Sequence, residues 1–286
     1  MKTNKYLIIM FALSMLFLFP EFLSAKVMVT DNYEHPQRYG IEIGGMEITS
    51  ENYHDISAAN GFSAIVGGEV YFEPEAKTLT LVNANISSQA DHAIHIFSYN
   101  DTSRGYKIAL KGENSMFSES KNALFATIDV EIFGDGIAYF ASEADAAIYT
   151  DGSEGMQLKI ANFVTIYAKG KKGICSSNGN EDFVVSNATV HAIGTQGSLF
   201  NFRKIVLENS HLTLPANGYI EGGSVMTRGA VCTLEVVIEP DISTGISVVK
   251  SNPDKSVYSI DGAKKDKDFN SLPSGVYVID GKKIVK

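Results

Sequence analysis

The sequence contains no tryptophan, two cysteines and four arginines among its 286 residues. Cys175 and Cys232 are too few to form a disulfide framework, and they cannot supply a cysteine-rich zinc site. Positive charge is scarce, and the formal net charge of −9 would repel a phosphate backbone. We therefore expect no nucleic-acid partner.

Long apolar runs are absent after the N-terminus. One run covers residues 6–19 behind Lys2 and Lys5, and Leu23-Ser24-Ala25 follows as a small-residue cleavage site. The run is shorter than the ~20 residues that a membrane-spanning helix needs. This pattern favours a signal peptide over residues 1–25 rather than a transmembrane anchor. We expect a secreted protein that is not an integral membrane protein.

The middle of the chain repeats one pattern, in which two alternating apolar residues precede an Asn or Gly. The Asn/Gly positions recur every 22 to 29 residues. The copies are LTLVN (79–83), IALKG (108–112), VEIFG (130–134), LKIAN (158–162), FVVSN (183–187) and IVLEN (205–209). Repeats of this length, built from short alternating strands, are typical of a solenoid. The fixed spacing of leucine-rich repeats is missing.

A second apolar column follows each Asn/Gly position at a distance of 11 to 14 residues. Its members are Ala93-Ile94, Ala123-Leu124, Ala147-Ile148, Gly173-Ile174, Ser198-Leu199 and Tyr219-Ile220. Two columns in register predict an all-β protein, a right-handed single-stranded parallel β-helix of about six coils. We assign an N-terminal β-hairpin cap to residues 26–77, the β-helix to 78–240 and a short C-terminal β segment to 241–286.

Alternation along the strands predicts which side chains face the interior. The first apolar column should point inward, with Asn or Gly at the corners because both tolerate left-handed backbone conformations. The inward pairs would be Leu79/Leu81, Ile108/Leu110, Val130/Ile132, Leu158/Ile160, Phe183/Val185 and Ile205/Leu207.

The residue after each second-column aliphatic should point outward. These residues are His95, Phe125, Tyr149, Cys175, Phe200 and Glu221. We take His95, Phe125, Tyr149 and Phe200 as candidate ligand-binding residues, because a flat aromatic ladder could stack sugar rings or dock a protein. Two alternatives stay open: the stripe is covered by the protein's own chain, or the alternation is shifted by one residue.

Catalytic and metal signals are weak. The sequence has no Asp-Asp pair, no Gly-His-Gly and no Gly-x-Ser-x-Gly, so we expect no enzyme. Its histidines are scattered rather than placed to converge on a metal. Calcium is the possible cofactor, because acidic residues between 135 and 154 could supply oxygen ligands from adjacent coils. The candidate calcium ligands are Asp135, Asp145 and Asp151.

The C-terminal segment resembles the sorting segments of Bacteroidetes proteins exported by the type IX secretion system. The matching stretches are VYSIDGAKK (257–265) and LPSGVYVIDGKK (272–283), closed by Lys286. The resemblance implies that the export machinery is a partner, and that the protein is released or attached to the outer membrane surface. The stretch YGIEIGGMEITSENYHDI (39–56) resembles an N-terminal module of secreted Bacteroidales β-helix proteins, some of which are described as carbohydrate-binding.

These features together predict a secreted or cell-surface binding or adhesin-like protein that is directed to a glycan or a surface protein and has no enzymatic activity. A polysaccharide lyase or glycoside hydrolase of β-helix type is the alternative, and it requires carboxylates near residues 135–151 to converge with a basic residue. A structural surface or protein-interaction component is the second alternative.

Overall fold

The computed structural model describes residues 35–99, 105–241, 257–259, 262–265, 271–279 and 282–286. The predicted signal peptide lies outside these residues, as does most of the segment that joins the coils to the C-terminal strands. No helix within the described ranges is long and apolar enough to cross a membrane.

The strands divide into four groups along the chain. The N-terminal group is β1 (Arg38–Ile43), β2 (Met46–Thr49) and β3 (Ile65–Glu73), with a 3-10 turn at Ala58–Asn60. The coils consist of β4 (Thr78–Ser88), β5 (Ile94–Ile96), β6 (Tyr106–Lys111), β7 (Glu113–Ser118), β8 (Leu124–Ala126), β9 (Val130–Gly134), β10 (Ile137–Ser142), β11 (Ala146–Thr150), β12 (Gln157–Ala161), β13 (Thr165–Ser176), β14 (Asp182–Ser186), β15 (Thr189–Phe200) and β16 (Lys204–Glu208). The far end contains β17 (Ser210–Leu214), β18 (Tyr219–Glu221), β19 (Ser224–Thr227), β20 (Ala230–Val231) and β21 (Val236–Pro240). The C-terminal group is β22 (Val257–Ser259), β23 (Lys264–Lys265), β24 (Val276–Ile279) and β25 (Lys282–Val285).

The coils form a right-handed parallel β-helix of about five turns. Three parallel sheets make its faces. Face A contains β5, β8, β11 and the second halves of β13 and β15. Face B contains the end of β4, β7, β10 and the first halves of β13 and β15. Face C contains the start of β4, β6, β9, β12, β14 and β16.

The interior is built from the predicted inward column on face C. Leu79, Leu81, Ile108, Leu110, Val130, Ile132, Leu158, Ile160, Phe183 and Val185 are all buried, none more than 1% exposed. The last pair, Ile205 and Leu207 on β16, is only half-buried. Each residue stacks on its equivalent in the next coil, so the core is a continuous column closed only where the stack ends.

The predicted corners are confirmed. All six Asn/Gly positions have a positive φ: 47° at Asn83, 67° at Gly112, 128° at Gly134, 61° at Asn162, 50° at Asn187 and 50° at Asn209. This backbone region carries little penalty for Gly and is tolerated by Asn, which explains why only these two residue types recur at the corner.

The predicted sixth coil is incomplete, and its second-column pair Tyr219-Ile220 is exposed rather than buried. These residues lie in β18, which forms a small antiparallel sheet with β19 and β20. On face B, β21 pairs antiparallel with both β15 and β17. An antiparallel strand stops the repeating stack, and this caps the buried column where another coil was expected.

At the other end, β1 and β2 form the predicted hairpin around Gly44 and Gly45. β1 pairs antiparallel with β5, and β3 pairs antiparallel with β4. The predicted C-terminal β segment is also present among the described residues, where β24 and β25 form an antiparallel pair within a four-stranded sheet.

Candidate functional site

The predicted outward column lies on face A in the predicted register. His95 pairs with Phe125, Phe125 with Tyr149, Tyr149 with Cys175, and Cys175 with Phe200. The structure therefore brings all four candidate ligand-binding residues onto one line along the face. A shift of the alternation by one residue is excluded, because the aliphatic residue before each of them is buried.

The exposure of this line differs from the expectation at one position. Cys175 is fully buried, although its neighbours in the column, Tyr149 and Phe200, are half-buried. The thiol is shorter than the side chains beside it in the column, and the Lys172 side chain lies close by, with its Nζ 5.5 Å from the Tyr149 ring centroid. Burial raises the pKa of Cys175 to about 12. The exposed stripe is therefore broken, and Phe200 is separated from the other three residues.

The three remaining rings stack on one another. The His95 and Phe125 ring centroids are 4.9 Å apart with an interplanar angle of 14°, and those of Phe125 and Tyr149 are 5.7 Å apart at 26°. Each ring covers a face of its neighbour, which stabilises adjacent coils. The rings consequently present their edges to solvent, whereas a flat ladder with free faces was expected from the sequence.

Two further rings extend this line toward the N-terminal cap. Phe97 stacks on His95 with centroids 4.6 Å apart, and Tyr99 meets Phe97 edge-on at 5.1 Å. Tyr99 is 46% exposed and carries the Arg38 guanidinium 4.5 Å above its ring. We call these five residues, Tyr99, Phe97, His95, Phe125 and Tyr149, the aromatic strip. Burial raises the pKa of both tyrosine hydroxyls, so both are neutral hydrogen-bonding groups.

A cleft of about 550 Å³ lies at the carboxyl ends of the same strands. We call it the polar cleft. It is lined by Ser98, Thr127, Ile128, Asp129, Asp151, Gly152, Ser153, Glu154, Gly155 and Met156. Ser98 lies between two residues of the strip, and Thr127 and Asp151 follow Phe125 and Tyr149 by two residues. The strip and the cleft are therefore contiguous parts of one surface.

The cleft carries negative charge. Asp129 Oδ1 accepts a hydrogen bond from the Gln157 backbone N–H at 2.7 Å. Glu154 has an 80% exposed side chain and lies 3.9 Å from Arg203 Nη1. Arg203 itself makes two 2.7 Å hydrogen bonds to Asp182 and holds the pKa of that carboxyl below its usual value. No lysine, arginine or histidine is among the described residues that line the cleft.

A buried carboxylate supports the wall of the cleft. Glu181 is fully buried, and its two oxygens accept hydrogen bonds from the backbone N–H of Gly152 at 2.6 Å and of Asn180 at 3.1 Å. Burying a carboxylate is unfavourable unless its oxygens are hydrogen-bonded. Glu181 thus connects the loop that carries Asp151 and Glu154 to the coil below it.

The three candidate calcium ligands are not brought together as a metal site. Asp145 pairs with Lys172 Nζ at 2.8 Å, Asp151 accepts a hydrogen bond from the Ser177 hydroxyl, and Asp135 is exposed at a corner. Within the ranges that the structure describes, no group of three or more His, Cys, Asp or Glu side chains could hold a metal ion.

Face B carries a second aromatic ladder that we did not anticipate from the sequence. Tyr139 and Tyr167 stack with centroids 5.0 Å apart, and Tyr167 and His191 stack at 4.5 Å. Tyr139 and Tyr167 each follow a corner residue by five positions, whereas His191 follows its corner by four. A one-residue difference in corner length obscures this column in the sequence.

No protein-family model matches the chain, and no match was found among curated proteins or solved structures. Its function must therefore be inferred from the surface described above.

Proposed function

We propose that this chain is an exported glycan-binding protein, adhesin-like and without catalytic activity. The observation that carries the proposal is the contiguity of the aromatic strip with the polar cleft on one rigid face. Glycan sites combine apolar contacts to sugar C–H groups with a few well-placed polar groups that bond to hydroxyls. A stack of coils holds both kinds of group at fixed spacing.

The geometry supports a particular division of roles. The edges of Phe97, Phe125 and Tyr149 would contact the apolar side of a sugar, because their faces are occupied by each other. The cleft supplies hydroxyl, carboxylate and backbone groups for sugar hydroxyls. Its three carboxylates, with no basic residue among the described lining residues, would disfavour an anionic sugar at close range. A neutral glycan is therefore the ligand class that fits best.

The test is a binding screen with the cello-, manno-, xylo- and chito-oligosaccharide series beside uronic-acid oligosaccharides, followed by calorimetric titration of the strongest binder. We expect a neutral series to bind. Glu154→Gln should weaken that binding about fivefold, because one hydrogen bond to a charged acceptor is replaced by a weaker neutral one. The side chain is 80% exposed, so the fold should be unaffected.

Glu119→Gln is the matched control, because Glu119 is also exposed but lies outside the cleft, at the turn that follows β7. It should bind like the wild type. Equal effects of the two substitutions would contradict the assignment of the cleft, and a panel in which no glycan binds would contradict the proposed function.

Cleavage of a polysaccharide is the second candidate, and the three carboxylates of the cleft favour it. Binding is preferred because a lyase needs a basic residue that is free to act, and Arg203, which lies beside Glu154, is already bonded to Asp182. Incubation with the binding polysaccharide distinguishes the two. New reducing ends or unsaturated products, abolished by Asp151→Asn and Glu154→Gln, would favour the enzyme.

We also propose that the C-terminal segment directs export through the type IX system and attachment to the outer membrane surface. The sheet formed by β22 to β25 supports this, since the resembling stretches occupy its strands. The intact mass of the protein recovered from its native host is the test. A species from residue 26 to near residue 240 is expected. A species that retains residues 241–286 would contradict removal of the segment.

A further inference from the structure

One end of face C presents an unpaired strand edge. Among the described residues, β16 pairs only with β14, so one of its two edges has backbone groups without a strand partner. The inward residues of β16, Ile205 and Leu207, are half-buried, although their partners on β14, Phe183 and Val185, are fully buried. Within the described residues, no further strand continues the apolar column beyond β16. Such an edge favours pairing with another chain.

The opposite end of the same sheet presents a second such edge. β3 pairs antiparallel with β4 and, within the part of the chain that the structure describes, with no other strand. Val70 and Phe72 point into the core and are each 5% exposed, whereas Tyr71 points outward and is 49% exposed. Buried and exposed side chains thus alternate along β3, as they do along the coil strands. A further strand could pair with its outer edge and continue the same pattern.

We propose that the partner of β16 is the β3 strand of a second copy of this chain, so that the molecules assemble head to tail. In antiparallel pairing, Ile205 would lie opposite Phe72 and Leu207 opposite Val70, which places apolar side chains together on the inward side. Val206 would lie opposite Tyr71 on the outward side. This register continues the sheet from one molecule into the next in the direction that β3 already adopts against β4.

Charge favours this register at one position. Lys204, whose Nζ lies 3.3 Å from Asp182 Oδ2 in the same molecule, would also lie opposite Glu73, and both residues are exposed. Glu208 would lie opposite Glu69, which is a repulsive pair on the outward side. Because exposed charges are screened by salt, and because each copy is acidic overall, association should strengthen as the salt concentration rises.

A second copy fits better than an unrelated strand because both halves of the interface are present in one sequence with matching alternation. The interface is heterologous and does not close on itself, so it generates open chains rather than a symmetric dimer. This inference goes beyond glycan binding, because an assembly would present many copies of the polar cleft along one line. Multivalent presentation of that kind raises avidity without new contacts.

The experiment is oxidative cross-linking of the whole chain carrying Val206→Cys and Tyr71→Cys together. Opposite residues of an antiparallel pair are close enough for a disulfide. The two positions lie on β3 and β16, which are separated by six strand spacings along face C, roughly 29 Å, so they cannot cross-link within one molecule. We expect a ladder of dimers, trimers and longer species on non-reducing gels.

The single variants are the controls, since each alone can give at most a disulfide dimer. Sedimentation of the unmodified chain provides a second measurement. It is carried out at about 0.05 M and about 0.5 M salt, a tenfold range of salt concentration. Association should increase with salt, and Val206→Lys should weaken it at least about tenfold. A double variant that gives no species beyond a dimer would overturn the proposal, as would wild-type chain that stays monomeric at high salt.

Discussion

At the scale of single residues, His92 lies beside the aromatic strip in surroundings that disfavour its charged form. Its ring is 4.9 Å from Phe125. Burial, followed by the charges of His95 and Lys121, lowers the pKa of His92 from 6.5 to about 4. The unfolded chain therefore binds a proton at His92 that the folded chain does not bind between pH 6.5 and 4.

The consequence is a pH dependence of stability with a defined sign. The contribution of neutral His92 to the free energy of unfolding is fully present above pH 6.5 and is lost as the pH falls toward 4. The melting temperature of the wild type should fall from pH 7 to pH 5 more steeply than that of His92→Gln. His35→Gln is the control for replacing an exposed histidine by glutamine. An equal fall in melting temperature from pH 7 to pH 5 for wild type and His92→Gln would contradict this explanation.

Cys175 provides a second prediction at this scale. Because the thiolate is the reactive form and burial raises the pKa of Cys175 to about 12, the native thiol should be inert to iodoacetamide at pH 8. Cys232 is also free and buried. Mass spectrometry should find no label on the native chain and two labels after denaturation in urea. Rapid labelling of native Cys175 would mean that face A opens in solution.

The site residues could be predicted only in part. The positions of His95, Phe125, Tyr149 and Phe200 on one face follow from alternation, which fixes the direction of each side chain. Alternation does not show whether neighbouring side chains cover a residue, so the burial of Cys175 could not be predicted from it. It also does not reveal that stacked rings hide each other's faces. The polar cleft was missed because its residues lie in loops, where no period constrains them.

At the scale of the elements, the corner asparagines determine where each coil bends. Asn187 has a φ of 50°. Asn187→Ala should lower the free energy of unfolding by about 1 kcal/mol, because alanine is disfavoured in the left-handed region. Asn187→Gly should leave it nearly unchanged, because glycine adopts this region without a steric penalty. Urea denaturation of the three proteins is the measurement.

The comparison with Asn83 provides a control for side-chain effects. Asn83 also has a positive φ, but its side-chain oxygen accepts a hydrogen bond from the Glu113 backbone N–H at 3.1 Å. Asn83→Gly should therefore destabilise the protein by about 1 kcal/mol through the lost bond, whereas Asn187→Gly should not. Equal stabilities of the two glycine variants would contradict this distinction.

The coils and their corners could be predicted because inward stacking and left-handed bends leave a direct signature in residue type. The structure at the end of the stack could not be predicted from the sequence. β17, with the sequence SHLTL, has the same apolar alternation as a coil strand. Whether such a strand continues the helix or turns antiparallel depends on contacts with the preceding coil, which the local pattern does not contain.

At the scale of the whole molecule, the chain forms an acidic β-helical rod whose three faces carry different surfaces. Face A carries the aromatic strip and borders the polar cleft. Face B carries the second ladder. Face C ends in β16 and β3, whose outer edges pair with no other strand in the part of the chain that the structure describes and are proposed for assembly. Because a solenoid keeps each face at fixed spacing, binding on face A should not require a conformational change.

The central claim is that a neutral glycan binds in the polar cleft beside the aromatic strip. Hydrogen–deuterium exchange of the chain, with and without the tightest-binding oligosaccharide of the panel, tests this claim most directly. We expect slower exchange in residues 97–99, 127–129 and 151–156, and unchanged exchange in β10 and the first half of β15 on face B. Protection confined to face B, or no protection at a saturating glycan concentration, would contradict it.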